Sequence, residues 1–270
     1  MRRFVVCIFN VFVCFVLNGQ PVQRVVSLVP SLTDNIYLIG GAKKLVGCTS
    51  YCHRAIKDGV PQVGSAVNAN TEAILALQPD LVLVSQLTKP QDLATLRKLG
   101  LRVEVFTAPS SFDEICRQTL QLARLLNCEA AAQKVVRNAR QRVAEIQEKC
   151  KNKTPRKVFM QIGANPIYTV TGQSFLNDYI TFCNCKNIAA DLSSGAISRE
   201  AVLAQNPDVI IVAEMGHFGQ HEKQEWEKYS SLSAVKLHRV FIISSDTSCN
   251  PSPANFVSAL DDVCRFIYTE

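Results

Sequence analysis

The stretch TEAILALQPDLVLV at residues 71–84 is nearly repeated 128 positions later as REAVLAQNPDVIIV at 199–212. Each copy opens on an acid at its second position and carries apolar residues at helical spacing. Each then meets Pro-Asp and runs into residues suited to a buried strand. Pro79 and Pro207 stop the helices, and Asp80 and Asp208 fall in the turns. Asn70 or Thr71 supplies the first N-cap. The same helix-turn-strand unit used twice predicts two lobes. Any two Rossmann-like lobes can converge on such a unit, but the matched carboxylates Glu72 and Glu200 are harder to assign to convergence. As first-turn acids they favour the helix dipole, and as a pseudo-symmetric exposed pair they suit a two-fold partner.

Working outward, apolar strand runs alternate with helical patterns. RVVSLVP and KLVGCTS read as strands flanking SLTDNIYLIGG, a helix with Ser31 or Thr33 as N-cap and a Gly40-Gly41 stop. PQDLATLRKLG then gives a helix and RVEVFTA a strand. Helices interleaved with short β-branched runs predict a parallel α/β sheet. The rhythm breaks at SFDEICRQTLQLARLLN, one helix, and EAAAQKVVRNARQRVAEIQEKCK, a longer one without Gly or Pro. At about 1.5 Å per residue the second helix exceeds ~30 Å and can connect two lobes. After Pro155 the pattern resumes: KVFMQIG strand, SFLNDYITFC and REAVLAQN helices, DVIIVAE strand, EWEKYSSLSAV helix, RVFIISS strand, SPANFVSALDDVCRFIY helix. The expected architecture is therefore α/β, two Rossmann-like lobes joined by one long backbone helix. The predicted division is a signal segment at 1–19, a first lobe at 20–126, the linking helix at 127–153 and a second lobe at 154–270.

The signal assignment rests on Arg2 and Arg3, the apolar run Phe4–Leu17 and the small Gly19. The run is short for a membrane span, and Val11, Phe12 and Val13 do not provide the small residue that lipid attachment at Cys14 would want. The formal charge of +6 falls to about +4 without Arg2 and Arg3, and the basic residues are dispersed, which gives nucleic-acid binding little support. Nine of the eleven cysteines remain after Cys7 and Cys14 leave, an odd number in a compartment that permits disulfides. No CxxC occurs, and either Cys183 or Cys185 is free to pair with Cys264. Cys128 and Cys150 cannot pair across one helix about 33 Å long.

In this order and spacing, RVVSLVPSLTDNIYLIG, VGCTSYC, PQVGSAVNANTEAILALQPDLVLV, KVFMQIGANPIYT and CNCKNIAADLSSGAISREAVLAQNPDVIIV resemble the periplasmic binding proteins with a helical backbone. These feed ABC importers with cobalamin, haem, ferric siderophores or metal ions, and the likeness is nearest to the cobalamin binders. It runs from Arg24 to the C-terminus. It implies an extracytoplasmic, non-enzymatic receptor, monomeric when free, that carries a small metal chelate to a permease dimer without a resident cofactor or metal. It also implies that Glu72 and Glu200 dock on the permease and that Cys183 and Cys264 form a disulfide.

Ligand contacts carried over by position are Ser31, Tyr51, Asn165, Tyr168 and Ser194. Ala66, Gln86 and Gly195 fall where the cobalamin binders place tryptophan, a departure that brings haem and ferric siderophores close behind a corrinoid. A flat ligand is expected on Tyr51, Tyr168, Leu87 and Phe218. Cys52, His53 and Arg54 in YCHR, with Asp246 and Cys249 from SDTSCNPSP, are the polar candidates; Cys52 and Cys249 are ligands, a disulfide or unrelated thiols. His217 and His221 have i, i+4 spacing, but Gly216 and Gly219 favour a solvated loop, and Trp226 in KQEWEKY reads as surface helix. A tetrapyrrole chelatase is the enzymatic alternative. Against it, no Gly-rich phosphate loop, G-x-S-x-G or H-E-x-x-H is present.

Overall fold

The computed structural model describes residues 21–65, 67–214 and 218–269. The expected signal segment at 1–19, Ala66 and His217 lie outside the described residues. The first half runs β1 (Val25–Ser27), α1 (Pro30–Leu38), β2 (Leu45–Cys48), α2 (His53–Lys57), α3 (Thr71–Ala76), β3 (Leu81–Ser85), α4 (Pro90–Lys98) and β4 (Val103–Phe106). Two helices follow, α5 (Phe112–Leu126) and α6 (Glu129–Cys150). The second half is β5 (Lys157–Gly163), β6 (Tyr168–Thr169), α7 (Asn177–Phe182), β7 (Lys186–Asn187), α8 (Arg199–Gln205), β8 (Val209–Glu214), α9 (Phe218–Glu227), α10 (Ser233–Lys236), β9 (Val240–Ser244), α11 (Ser245–Ser248) and α12 (Pro253–Tyr268).

The first sheet has the order β2-β1-β3-β4 and is parallel throughout. The second has the order β6-β5-β8-β9, with β7 beside the start of β5 and only β6 antiparallel. Both central strands are apolar on both faces, as parallel sheets covered by helices require. Leu81 and Leu83 of β3 face one buried cluster while Val82 and Val84 face another. Along β8, Val209 and Ile211 alternate in the same way with Ile210 and Val212.

The repeated phrase turns out to be one mechanical device used twice. Asn70 Oδ1 caps α3 by accepting from the Ala73 N–H at 3.0 Å, and Ser198 Oγ caps α8 by accepting from the Ala201 N–H at 3.2 Å. Each helix ends through a left-handed residue, Gln78 (φ 46°) and Asn206 (φ 45°). Asp80 then accepts from the Gln23 and Arg24 N–H groups at 2.8 Å, and Asp208 from the Lys157 N–H at 2.7 Å. Arg24 reaches the Leu77 carbonyl at 2.7 Å, as Lys157 reaches that of Gln205 at 2.6 Å. In both halves the helix end is thus clamped to the first strand of its own sheet.

Two expectations about helices need correction. α1 starts at Pro30 behind Val29, with no side-chain cap, because proline is pre-set for a first turn; Ser31 and Thr33 lie inside the helix. Thr33 is instead buried and bonds Ser27 Oγ at 2.9 Å. The single helix expected over EWEKYSSLSAV is two, α9 and α10, and α9 reaches back to Phe218. Its Gly219 is buried against β8, where an added Cβ would stand 2.9 Å from Glu214 Cβ, so glycine here allows close approach and does not open a loop.

α6 spans both halves as a single helix about 33 Å long. Ala132 sits in the first core, and Val136, Ala139, Val143 and Ile146 in the second. α5 is shared too: Phe112, Ile115 and Cys116 belong to the second core and Leu122, Ala123 and Leu126 to the first. The connection is therefore a pair of helices packed along each other.

Candidate functional site

In parallel sheets the loops after the strands gather at one edge, and ligands bind beyond it. Here the C-terminal edges of the two sheets meet across a cleft. A cavity of about 390 Å³ is lined by the segments following β1, β3 and β4 and, from the other side, by Phe175, Cys249 and Pro251. Val29, Leu32, Phe106, Pro109, Ile115 and Phe175 make its walls apolar. Its polar groups are neutral: Ser31, Asn35, Ser85, Gln86, Thr107, Gln118 and Thr119. Among the described residues, no charged side chain lines it. A second cavity of about 520 Å³ shares Pro30, Ser31, Cys249 and Pro251 with the first and adds Asp34, Tyr51, His53, Arg54, Asp246 and Asn250. The cleft is thus a neutral apolar half beside a charged polar half.

Its floor is stitched by groups that the sequence reading did not single out. Asn35 Nδ2 donates to the Pro251 carbonyl at 3.0 Å, while its Oδ1 accepts from Thr119 at 3.2 Å. Asn250 Nδ2 donates to Asp34 at 2.5 Å. The Asn250 Oδ1 is buried with no hydrogen-bond partner among the described residues. Asp178 accepts from the Phe112 N–H at 2.7 Å and joins α7 to α5; burial pushes its carboxyl above the usual range, the Phe112 N–H opposing this. Asp34 and Asn35 are adjacent polar residues inside α1, the helix that follows β1.

Of the expected ligand contacts, Gln86 and Leu87 line the apolar cavity, Tyr51, His53, Arg54 and Asp246 the polar one, and Ser31 and Cys249 both. Tyr51 and Leu87 are each 66% exposed at the rim, free to cover a flat ligand. Arg54 is held by its guanidinium lying 4.2 Å over the Tyr37 ring. The Tyr37 phenol is pushed up to about 12, chiefly by burial and then by its bond to Asp58. Burial also raises the Cys249 thiol. Tyr168, Asn165, Ser194 and Gly195 line neither cavity. They cluster at the edge of the second sheet, where Tyr168 bridges Ala196 and an added Cβ on Gly195 would meet Thr169 O at 2.8 Å. Phe218 is half-buried and packs on the core beneath α9.

Cys52 is not a cleft thiol. It is 2% exposed and turned inward, with Thr33 and Thr49 hydroxyls each 3.2 Å from its sulfur. It lines neither cavity and makes no bond to Cys249, and both are free thiols. Trp226 is not on the surface either. It is fully buried, donates to Gln161 at 2.7 Å and carries the Arg199 guanidinium 4.2 Å over its ring. His221 stands on a helix, exposed beside Glu222 and Glu225 at 3.8 Å.

Glu72 and Glu200 occupy matching first turns of α3 and α8, both on exposed faces. Its own backbone N–H and the Ser198 hydroxyl hold the Glu200 carboxyl below the usual range, so it stays charged. Next to it, Arg199 is paired at 2.8 Å with Glu222, which is buried and also accepts from Gln161 at 2.9 Å. Cys183 and Cys264 do come together, but unbonded and with a third thiol: Cys150 lies 3.2 Å from Cys264. Hydrogen bonding from Cys183, then Cys150, lowers the Cys264 thiol against the effect of burial, and hydrogen bonding to Cys150, then Cys264, pushes the Cys183 thiol well up.

The chain is 28% identical to a vitamin B12-binding protein of Vibrio cholerae over 92% of its length and 90% of the relative's. It is also 28% identical to an uncharacterized ABC transporter substrate-binding lipoprotein of Bacillus subtilis, covering 92% of this chain and 81% of that one. The crystal structure of the Vibrio cholerae periplasmic vitamin B12-binding protein superposes with a TM-score of 0.78, at 28% identity over 92% of this chain and 97% of the other. A periplasmic haem-binding protein of the same organism superposes at 0.81 but with 20% identity, over 91% and 99%, a likeness of fold alone. The periplasmic binding protein model matches residues 25–247. With two parallel sheets facing one cleft and that match over most of its length, the chain belongs to the periplasmic binding protein family.

Proposed function

We propose that this protein captures a corrinoid, cobalamin or a close relative, in the inter-sheet cleft outside the cytoplasm and delivers it to an ABC-transporter permease. The observation that carries the reading is the uncharged apolar cavity with neutral amide groups, Asn35, Gln86 and Gln118, placed on its walls. A corrin is a large apolar macrocycle fringed by neutral amides, and such a cavity solvates it without leaving a charge unpaired. The carboxylates of haem and the anionic donors of many ferric chelates would meet no cation there. Haem is the second reading, because His53 and Cys249 line the polar half and donors of those types ligate iron.

Tyr51 and Leu87 supply the apolar rim that tryptophans would otherwise supply. Glu72 and Glu200, one per half, set register on a two-fold permease more than affinity, since exposed ion pairs are individually weak. The transport role leaves no reaction for the chain to catalyse. The test is incubation with cobalamin, cobinamide, haemin and a ferric siderophore, removal of free ligand, an absorption spectrum, and calorimetry on what is retained. Retained cobalamin or cobinamide is the expected result; haemin retained in their place, or no saturable binding, would overturn the corrinoid assignment.

A further inference from the structure

Away from the cleft, three thiols converge where three helices end or cross. Cys150 is the last residue of α6, Cys183 follows α7, and Cys264 lies on α12. Their sulfurs all lie within 4.8 Å of one another, with 3.2 Å between Cys150 and Cys264. Cys150 and Cys183 are buried and Cys264 is half-buried, which leaves one approach from solvent. The surroundings are held in place: the Tyr268 hydroxyl donates to the Cys183 carbonyl at 2.6 Å, and Asn184 Nδ2 bonds the Lys151 and Lys153 carbonyls at 3.3 and 3.1 Å. The cluster stands by the start of β5, at the edge of the second sheet opposite the cleft.

We propose that Cys150, Cys183 and Cys264 form a binding site for one soft, three-coordinate cation, copper(I) being the ion whose chemistry fits. Metal–thiolate bonds of about 2.3 Å around a trigonal centre need sulfurs about 4.0 Å apart; with Cys150 and Cys264 at 3.2 Å and all three sulfurs within 4.8 Å, small side-chain shifts reach that spacing. This is the only group of three or more ligating side chains so placed among the described residues, and it contains no histidine or carboxylate. Three soft sulfurs with no fourth ligating atom grouped within 4.8 Å among the described residues suit copper(I) and fall one ligand short of a closed zinc site. Uptake exchanges the three thiol protons for one cation, with no change of oxidation state. The bound ion would tie α6, α7 and α12 together, a role a Cys183–Cys264 disulfide would fill without Cys150.

The experiment uses the reduced full chain under anaerobic conditions, titrated with copper(I) against bicinchoninate as competitor and read by thiolate-to-copper absorption in the ultraviolet. One equivalent is expected, with X-ray absorption showing three sulfur neighbours and a higher thermal unfolding midpoint on loading. Cys150→Ser should weaken uptake at least tenfold, while Cys116→Ser, in the same core but outside the cluster, should not. Absence of uptake by reduced wild-type protein would overturn the site, as would equal uptake by Cys150→Ser or a preference for zinc that excludes copper(I). Because the X-ray measurement is made on wild-type protein, it decides even if the serine variants fail to fold.

Discussion

Replacing Glu222 tests whether a buried ion pair holds the second glutamate-bearing helix in place. The Glu222 side chain is 6% exposed and accepts from Arg199 at 2.8 Å and Gln161 at 2.9 Å. Arg199, 19% exposed, has one guanidinium nitrogen already without a partner among the described residues. Glu222→Ala leaves that cation two-thirds or more buried and uncompensated against the Trp226 ring. Breaking a buried pair from one side costs about 3–5 kcal/mol, and the residual exposure of Arg199 favours the low end, about 3 kcal/mol. At roughly 2–4 °C per kcal/mol for a chain of this size, the thermal midpoint should fall by about 6–12 °C. Glu222→Gln keeps an acceptor and should cost about 1–2 kcal/mol. Arg199→Met with Glu222→Met removes both charges and should return to within about 1 kcal/mol of wild type, about 2 kcal/mol more stable than Glu222→Ala. Trp226 is the only tryptophan and sits inside this network, so its fluorescence in urea titrations reports the event directly. A Glu222→Ala midpoint matching wild type, or a double variant no better than the single one, would refute the reasoning.

Further outcomes follow from the same geometry. Leu32→Ala, opening the apolar cavity, should weaken corrinoid binding by about tenfold or more in calorimetry and destabilise the fold by about 2–4 kcal/mol; unchanged affinity would place the ligand elsewhere. Reversing both Glu72 and Glu200 to Arg should leave ligand affinity unaltered but abolish stimulation of the permease ATPase in vesicles. Asp178 has its pKa raised, so its contribution to stability is greatest below the ordinary aspartate range and is lost as pH rises through its folded value. Asp178→Asn, which still accepts from the Phe112 N–H, should flatten that loss between acidic and neutral urea midpoints. Burial pushes Cys48 up to about 12 and Cys116 to about 11, so neither should react with iodoacetamide at pH 8 until the chain unfolds, as mass mapping would show.

The two-lobed α/β plan was readable because its determinants are local: proline stops, capping side chains and strands apolar on both faces. The repeat at 71–84 and 199–212 even located the clamps, although not the Arg24 and Lys157 side chains that complete them. Trp226 was misplaced for a physical reason. Its helix buries Gly219, Glu222 and Trp226 at helical spacing, but one member of that stripe is an acid whose partner, Arg199, lies 23 residues away. A buried charge cannot be recognised without its counterion. The cleft was legible as loops following strands, and Tyr51, His53, Gln86 and Asp246, expected on those loops, line its two cavities. The inward turn of Cys52 depended on Thr33 and Thr49, hydroxyls that the linear pattern assigned to a helix cap and a strand end.

The shared helices α5 and α6 bear on how an importer learns that its receptor is loaded. Receptors whose halves swing together advertise cargo through the altered distance between their outer surfaces. Here both cores own parts of the same two rods, and the cleft floor is fastened by Asn35 to Pro251. Such fastening limits how far the span between Glu72 and Glu200 can change, and a ligand can bias only states that differ in energy. On the proposed function, occupancy is then signalled through the cargo's own exposed face and the rim around Tyr51 and Leu87.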